Sequence, residues 1–323
     1  MKIAIFTRKA SYDKYTKPEM VPEGTQVEFI KNNEMLQSSK SDAQVVLVNS
    51  MYDFGAADMD AMPNLKMICA EGVAFNKIDV NTAKDRNIIV CNARAANATQ
   101  VAEHAIMLML TLVHRYDEGA FAMRQGKAGE VKKIFMGDGL KDLTIMKVGI
   151  VGFGAIGREL AKRLIPFGCE LCYYDPFPAE EEVEKALKVT RMSLDELLKS
   201  CDIISLHLPV TEETKNLINK NRIAIMKDDA IVINTSRGEI VNTADVAEAI
   251  KEGKLWGAGI DTFDPEPALA TDPLIALEAP YSYRVAISPH IGGTTVSAFQ
   301  NMYSIFWSNV RAFAEGKDPL TKV

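Results

Sequence analysis

Histidine is scarce in this sequence, with four residues among 323, and tryptophan scarcer still, with two. No apolar run approaches the roughly 20 residues that cross a bilayer, which excludes a helical membrane span. Basic charge is outweighed: 37 Lys and Arg stand against 43 Asp and Glu, a net charge of -6. Binding a phosphate backbone needs a basic face, so a nucleic-acid partner is not expected. The first residues, MKIAIFTRKA, alternate as a strand does. Their apolar segment is too short for a signal peptide and no small-residue cleavage site follows, so a cytoplasmic location is expected. Cysteines number five, an odd count that argues against a disulfide framework. Cys169 and Cys172 form a C-x-x-C within GCELCYYD, which reads as a strand. Residues three apart on a strand face opposite ways, and a redox pair needs a helix N-terminus to activate its thiol. No metal-type carboxylate or histidine spacing accompanies His104 and His114, so both read as structural and no metal is expected.

The length suits two domains rather than one. In the first hundred residues, short apolar runs (KIAIF, QVEFI, AQVVLVNS, LKMICA, NIIVCN) alternate with polar, helix-like stretches. That spacing predicts βα units and a parallel sheet. Residues 98–115 contain no Pro or Gly and predict one long helix, with Thr99 as a candidate cap. The Gly-rich, charged segment 126–142 reads as a connecting loop or an interface arm. A second alternating series follows, with strands expected at MKVGIVGFG, CELCYYD, DIISLHL, AIVINTS, AGIDTF and RVAIS. Between them, Ser193 and Glu196 have capping-box spacing, and Thr243 and Gly253 can start and stop another helix. The expected fold is α/β, two doubly wound parallel-sheet domains.

The strongest local motif is VGIVGFGAIGRELAKRL, in which Gly152, Gly154 and Gly157 form G-x-G-x-x-G. It follows an apolar run and opens a helix, the context that makes the motif informative. Gly152 permits the tight turn, Gly154 lets the backbone approach a pyrophosphate, and Gly157 lets helix pack on strand. The helix N-terminus then offers free N–H groups to the phosphates. Asp175 ends the next strand, about 20 residues on, where a carboxylate accepts from ribose hydroxyls. A carboxylate there repels a 2′-phosphate and PFPAEEE supplies no Arg to hold one, so NAD is expected over NADP.

Three later segments, NTSRGEIV, GIDTFDPEP and SPHIGG, end successive strands. They present Arg237, then Asp261 and Glu266, then His290, at the edge where such sheets bind ligands. Taken alone, His290 could simply cap a turn. With the others it has a chemical logic. Reducing a 2-oxo acid needs a hydride and a proton, and His is suited to giving the proton near neutral pH. A carboxylate such as Glu266 would hold the imidazole in one tautomer, and the Arg237 fork matches the carboxylate and carbonyl of the substrate.

At this point the sequence resembles the D-isomer-specific 2-hydroxyacid dehydrogenases. VAEHA, GIVGFGAIG with Asp175, LHLPVTEETKNLI, INTSRGEIVN, GAGIDTFDPEP and SPHIGGTT run in that family's order and span most of residues 65–320. The resemblance implies Arg237, Glu266 and His290 as the catalytic set, with Asp261 facing the nicotinamide carboxamide. It implies further NAD contacts from the Ala155 and Ile156 backbone, His207, Pro209, Thr235 and Ser236. It also implies a discontinuous layout: an NAD-binding Rossmann domain over 99–290, and a flavodoxin-like outer substrate domain joining 1–98 to 291–323. A cleft between them would close on the substrate, and homodimers would form through the NAD domain, with the 126–142 segment in the interface.

The outer-domain loop after LKMIC should bind the substrate carboxylate through backbone amides, with Gly72 and Val73 in place and Ala74 where a second glycine is common. Relatives acting on phosphoglycerate carry an Arg in this loop, where this chain has Ala70 and Glu71. An acidic residue beside the site disfavours a phosphorylated substrate. With the sequence ending at Val323, the regulatory domain that many such relatives carry is not expected. The expected substrate is a small unphosphorylated 2-oxo acid such as glyoxylate, hydroxypyruvate or pyruvate, with 3-phosphoglycerate the alternative. Glu266 departs from the glutamine of the similar formate enzymes. Nothing marks the peptide-docking groove of the similar NAD-sensing corepressors.

Overall fold

A computed structural model describes residues 1–50 and 52–323, in two compact units, Met1–Asn97 with Thr294–Val323, and Ala98–Gly293. The first holds five strands: β1 (Lys2–Phe6), β2 (Gln26–Phe29), β3 (Val45–Val48), β4 (Met67–Ala70) and β5 (Ile89–Cys91). All pair in parallel, in the order β2-β1-β3-β4-β5. β1 shows why this sheet needs cover on both faces. Ile3 and Ile5 pack with Tyr303, Phe306 and Trp307 of the C-terminal helix Val296–Ala314, while Ala4 and Phe6 join the opposite core with Phe54 and Met62. A buried parallel sheet therefore reads as continuous apolar runs rather than alternation. Burying each large side chain is worth about 1.5–3 kcal/mol, so the last helix is a main support of the first sheet.

The second unit holds seven strands: β6 (Lys147–Val151), β7 (Glu170–Tyr174), β8 (Val189–Arg191), β9 (Ile203–Leu206), β10 (Ile231–Asn234), β11 (Gly257–Ile260) and β12 (Val285–Ile287). They too are all parallel, in the order β12-β11-β10-β9-β6-β7-β8. The order reverses beside β6, which puts a topological switch point at the ends of β6 and β9. The long helix Ala98–Val113 packs against β10, β11 and β12, where a Cβ on Gly259 would lie 2.9 Å from Leu108 Cβ and 3.5 Å from Leu112 Cδ1.

Four local expectations are corrected. Thr99, expected to cap the long helix, lies inside Ala98–Val113 and donates to Glu159 at 3.2 Å. Residues 128–138 form a helix, not a loop. Its glycines weaken helix propensity, but the Arg115 guanidinium lies over the Phe135 ring at 4.6 Å and bonds Asp138 at 2.6 Å, holding the segment from outside. The helix expected to be capped by Thr243 is capped by Asn242, whose side chain accepts from the Asp245 N–H at 3.1 Å. The strand β8 escaped notice because Val189-Thr190-Arg191 buries only its valine and makes no apolar run, unlike the equally short β5 and β12. The nearest sulfur partner of Cys172 is Cys201, at 3.1 Å, both buried.

Candidate active site

The glycine loop is shaped by two backbone collisions that only glycine avoids. Gly152 has φ +95°, and a Cβ there would lie 2.3 Å from the His207 carbonyl oxygen. A Cβ on Gly157 would lie 2.3 Å from the Gly152 carbonyl oxygen, so the helix Ala155–Leu164 sits directly against the loop. Gly154 is different: a Cβ there would meet nothing within 4 Å. Its exposed side is the open face to which the helix N-terminus points its unpaired amides. Asp175, just past β7, accepts the Phe153 N–H at 2.7 Å and the Phe177 N–H at 2.8 Å, and so braces the loop from below.

The end of β9 and the turn after β10 border the same switch point. Ser236 donates its hydroxyl to the Leu206 carbonyl and accepts the Leu208 N–H at 3.2 Å. Asn234 donates to the Arg237 carbonyl at 2.8 Å and accepts the Ser236 N–H at 3.0 Å, closing the turn. His207 bonds Ser205 through Nε2 at 2.9 Å, and burial drives its pKa down to about 3, so the ring is neutral. Its buried Nδ1 and the buried Thr235 hydroxyl have no protein partner among the described residues. Buried polar groups are normally satisfied. These two orphans, beside an open glycine loop and a braced carboxylate, fit a bound dinucleotide. Pro209 is exposed next to them.

Arg237, Asp261, Glu266 and His290 lie past the ends of β10, β11 and β12. Arg237 donates from Nη1 to the Ser236 carbonyl at 2.6 Å and makes no ion pair among the described residues. His290 and Glu266 are brought together: Nδ1 lies 2.8 Å from Oε1 and 2.9 Å from Oε2. Glu266 thus holds the Nδ1–H, and Nε2 is left without a protein partner among the described residues. His290 itself has φ +53°, and its N–H donates to the Asp261 carbonyl at 2.7 Å. The Asp261 carboxylate is buried and turned inward. Burial pushes its pKa up, but hydrogen bonds from His104, Ser288, and the Ile291 and Gly292 amides prevail and hold it at about 2. The sequence had offered Asp261 as a carboxamide contact and His104 as a structural helix residue. The fold joins them, and the only signal was one imidazole set in the apolar run of VAEHA.

In the first unit, the loop after β4 has its carbonyls tied back: Gly72 accepts from the Ala93 N–H at 2.9 Å and Val73 from Asn92 Nδ2 at 2.8 Å. The Gly72, Val73 and Ala74 amides meet no acceptor among the described residues. Successive free amides make an anion-binding concavity. Glu71 turns the other way. Its buried carboxylate accepts from Thr7 at 2.6 Å, from Tyr303 at 2.7 Å and from Asn49. The burial and that carboxylate push the Tyr303 hydroxyl well above its usual pKa. Among the described residues no cluster of three His, Cys, Asp or Glu could hold a metal, and no helix is long and apolar enough to cross a membrane.

Two parallel sheets, a glycine loop at a switch point and a carboxylate-held histidine define a dinucleotide-dependent oxidoreductase. Comparison with known proteins gives its kind. Residues 106–292 match the model of the D-isomer specific 2-hydroxyacid dehydrogenase NAD binding domain. Glyoxylate reductase of Thermococcus litoralis is 36% identical over 307 residues, 94% of this chain and 87% of the relative. D-3-phosphoglycerate dehydrogenase of Archaeoglobus fulgidus is 37% identical over 84% of this chain, which spans 50% of that protein's length. The crystal structure of D-lactate dehydrogenase from Aquifex aeolicus complexed with NAD and lactic acid aligns with a TM-score of 0.80 at 28% identity, covering 98% of this chain and 96% of that one. The chain belongs to the D-isomer specific 2-hydroxyacid dehydrogenase family. It is an NAD-dependent oxidoreductase that interconverts 2-oxo acids and D-2-hydroxy acids.

Proposed function

We propose that this enzyme acts on a small unphosphorylated 2-oxo acid of the glyoxylate, hydroxypyruvate or pyruvate type. One observation carries the assignment of roles: Glu266 occupies Nδ1 of His290 and leaves Nε2 free. His290 then gives its Nε2 proton to the carbonyl oxygen during reduction and takes it back from the hydroxyl during oxidation. Glu266 fixes the tautomer and offsets the charge of the imidazolium. Arg237 grips the carboxylate and carbonyl with its fork, and the Gly72 and Val73 amides take the carboxylate. NAD, when bound, supplies or accepts the hydride at the substrate C2. Gly152, Gly154, Ala155, Ile156 and Gly157 hold its pyrophosphate, and Asp175 its ribose. His207, Pro209, Thr235 and Ser236 line its path, with Asp261 behind the nicotinamide end. In this reading residues 99–290 serve the cofactor and residues 1–98 with 291–323 serve the substrate.

The loop Ala70–Asp79 contains no Arg, and its one lysine, Lys77, is paired with Asp53 at 3.5 Å. A second reading, a phosphorylated 2-oxo acid, is favoured by Arg94. It is exposed, without an ion pair among the described residues, beside the Asn92 and Ala93 groups that hold the loop. The test is NADH oxidation by the purified protein with glyoxylate, hydroxypyruvate, pyruvate and 3-phosphohydroxypyruvate, with NADPH in parallel. Turnover of a small acid with NADH is expected. Turnover of the phosphorylated acid alone, lost in Arg94→Ala, would establish the second reading instead.

We also read the enzyme as a cytoplasmic homodimer. The odd cysteine count suits a reducing compartment. The helices Tyr116–Arg124 and Ala128–Asp138 leave Tyr116, Met123 and Met136 at least 64% exposed, an apolar surface that favours self-association.

A further inference from the structure

Several bonds in the second unit converge on Asp261. Its Oδ1 accepts from the Ser288 hydroxyl at 2.5 Å and the Ile291 N–H at 2.9 Å, and its Oδ2 from the Gly292 N–H at 2.9 Å. Its main-chain carbonyl accepts the His290 N–H at 2.7 Å. The amides of three successive residues, 290 to 292, are therefore all held by Asp261. They need holding, because His290 sits at φ +53°, a conformation that costs free energy in any residue with a side chain.

One more group enters this cluster from a different element. His104, midway along Ala98–Val113, places Nε2 2.7 Å from Ser288 Oγ and 3.2 Å from Asp261 Oδ1. Its side chain is only 11% exposed. The hydrogen bonds fix its tautomer. An ionised carboxylate only accepts, so Ser288 must aim its proton at Asp261 and turn a lone pair toward His104. Nε2 of His104 therefore carries a hydrogen and donates. The ring also walls the turn: a Cβ on Gly292 would lie 3.4 Å from His104 Cδ2 and 3.0 Å from Asp261 Oδ2. A residue needed only for packing would be apolar here, like its neighbours Ala102, Ala105 and Leu108.

We propose that His104 is a positioning residue for the reaction, acting through Ser288 and Asp261 to hold the 289–293 turn so that the His290 imidazole stays aimed at the substrate. The proposal rests on the assignment of His290 as the proton donor. A misplacement of about 1 Å in a reacting group can cost on the order of 100-fold in rate, so a loosened turn registers in kcat before it registers in binding.

The experiment uses full-length wild type, His104→Leu, His104→Gln, Ser288→Ala and His290→Ala. It measures kcat and KM for the 2-oxo acid that the wild type reduces, the NADH Kd by fluorescence, and Tm. His104→Leu should lower kcat by roughly 10- to 100-fold with little change in KM or NADH Kd. His104→Gln, whose amide can reach the same donor position, should recover most of it. Wild-type kcat in His104→Leu overturns the proposal, as does a Gln variant no better than Leu. Should His104→Leu fail to fold, Ser288→Ala, a smaller change, must show the same kcat-selective loss, and unchanged kcat there overturns the proposal. If His290→Ala turns over like wild type, the reading of His290 itself falls, an outcome distinct from the others.

Discussion

Arg237 spends one Nη1 on the carbonyl of Ser236 at 2.6 Å, which orients the guanidinium before any substrate arrives. Lysine keeps the charge but has neither the fork nor the planar geometry. Arg237→Lys should therefore lower kcat/KM for the 2-oxo acid by about 100-fold, the usual scale for losing a donor to developing charge; steady-state kinetics would show it. His207 leads to a different test. Its folded pKa is about 3 against an ordinary 6.5, so between those values the unfolded chain binds a proton that the folded one refuses. Its effect is absent above pH 6.5 and grows as the pH falls toward 3, destabilising the fold. At pH 5 the effect is about 2 kcal/mol. The Tm of wild type should fall a few degrees further than that of His207→Gln on going from pH 7.5 to pH 5, read by differential scanning calorimetry.

At the scale of elements, the loop between β6 and the helix Ala155–Leu164 works because two backbones touch. Gly157 has ordinary helical backbone, yet a Cβ there would sit 2.3 Å from the Gly152 carbonyl oxygen. Gly157→Ala must push the helix N-terminus away from the loop, withdrawing the amides proposed to hold the pyrophosphate. We expect NADH affinity to fall by at least about tenfold, on the order of one lost charge-assisted hydrogen bond. Titration of NADH fluorescence would show it. Gly154→Ala, which meets no protein atom, should leave the fold intact and weaken only the cofactor. A variant pair with equal stability and equal affinity would remove the close-approach argument.

At the scale of the whole molecule, the net charge of -6 and the exposed methionines of the 116–138 arm make opposite demands on solubility. The self-association proposed for that arm would reconcile them. Sedimentation of the wild type should give a dimer, and Met123→Lys with Met136→Lys should give a monomer that still binds NADH. A wild-type monomer would leave the apolar arm without its proposed partner.

Much of this was present in the sequence. Parallel strands, buried on both faces, appear as unbroken apolar runs, and the glycine loop needs glycine at 152 for its positive φ and at 157 because a Cβ would strike the Gly152 carbonyl oxygen; both are local constraints that the chain carries in order. Arg237, Glu266 and His290 follow strand ends for the same reason. What the linear order could not carry are contacts between elements. The helix at 128–138 is held by Arg115, Glu71 is drawn inward by Thr7, Asn49 and Tyr303, and His104 lies 184 residues from the serine it serves. Each depends on a partner placed by the fold, and the physical cost of a buried polar group, which fixes such partners, is paid only once the chain has closed around it.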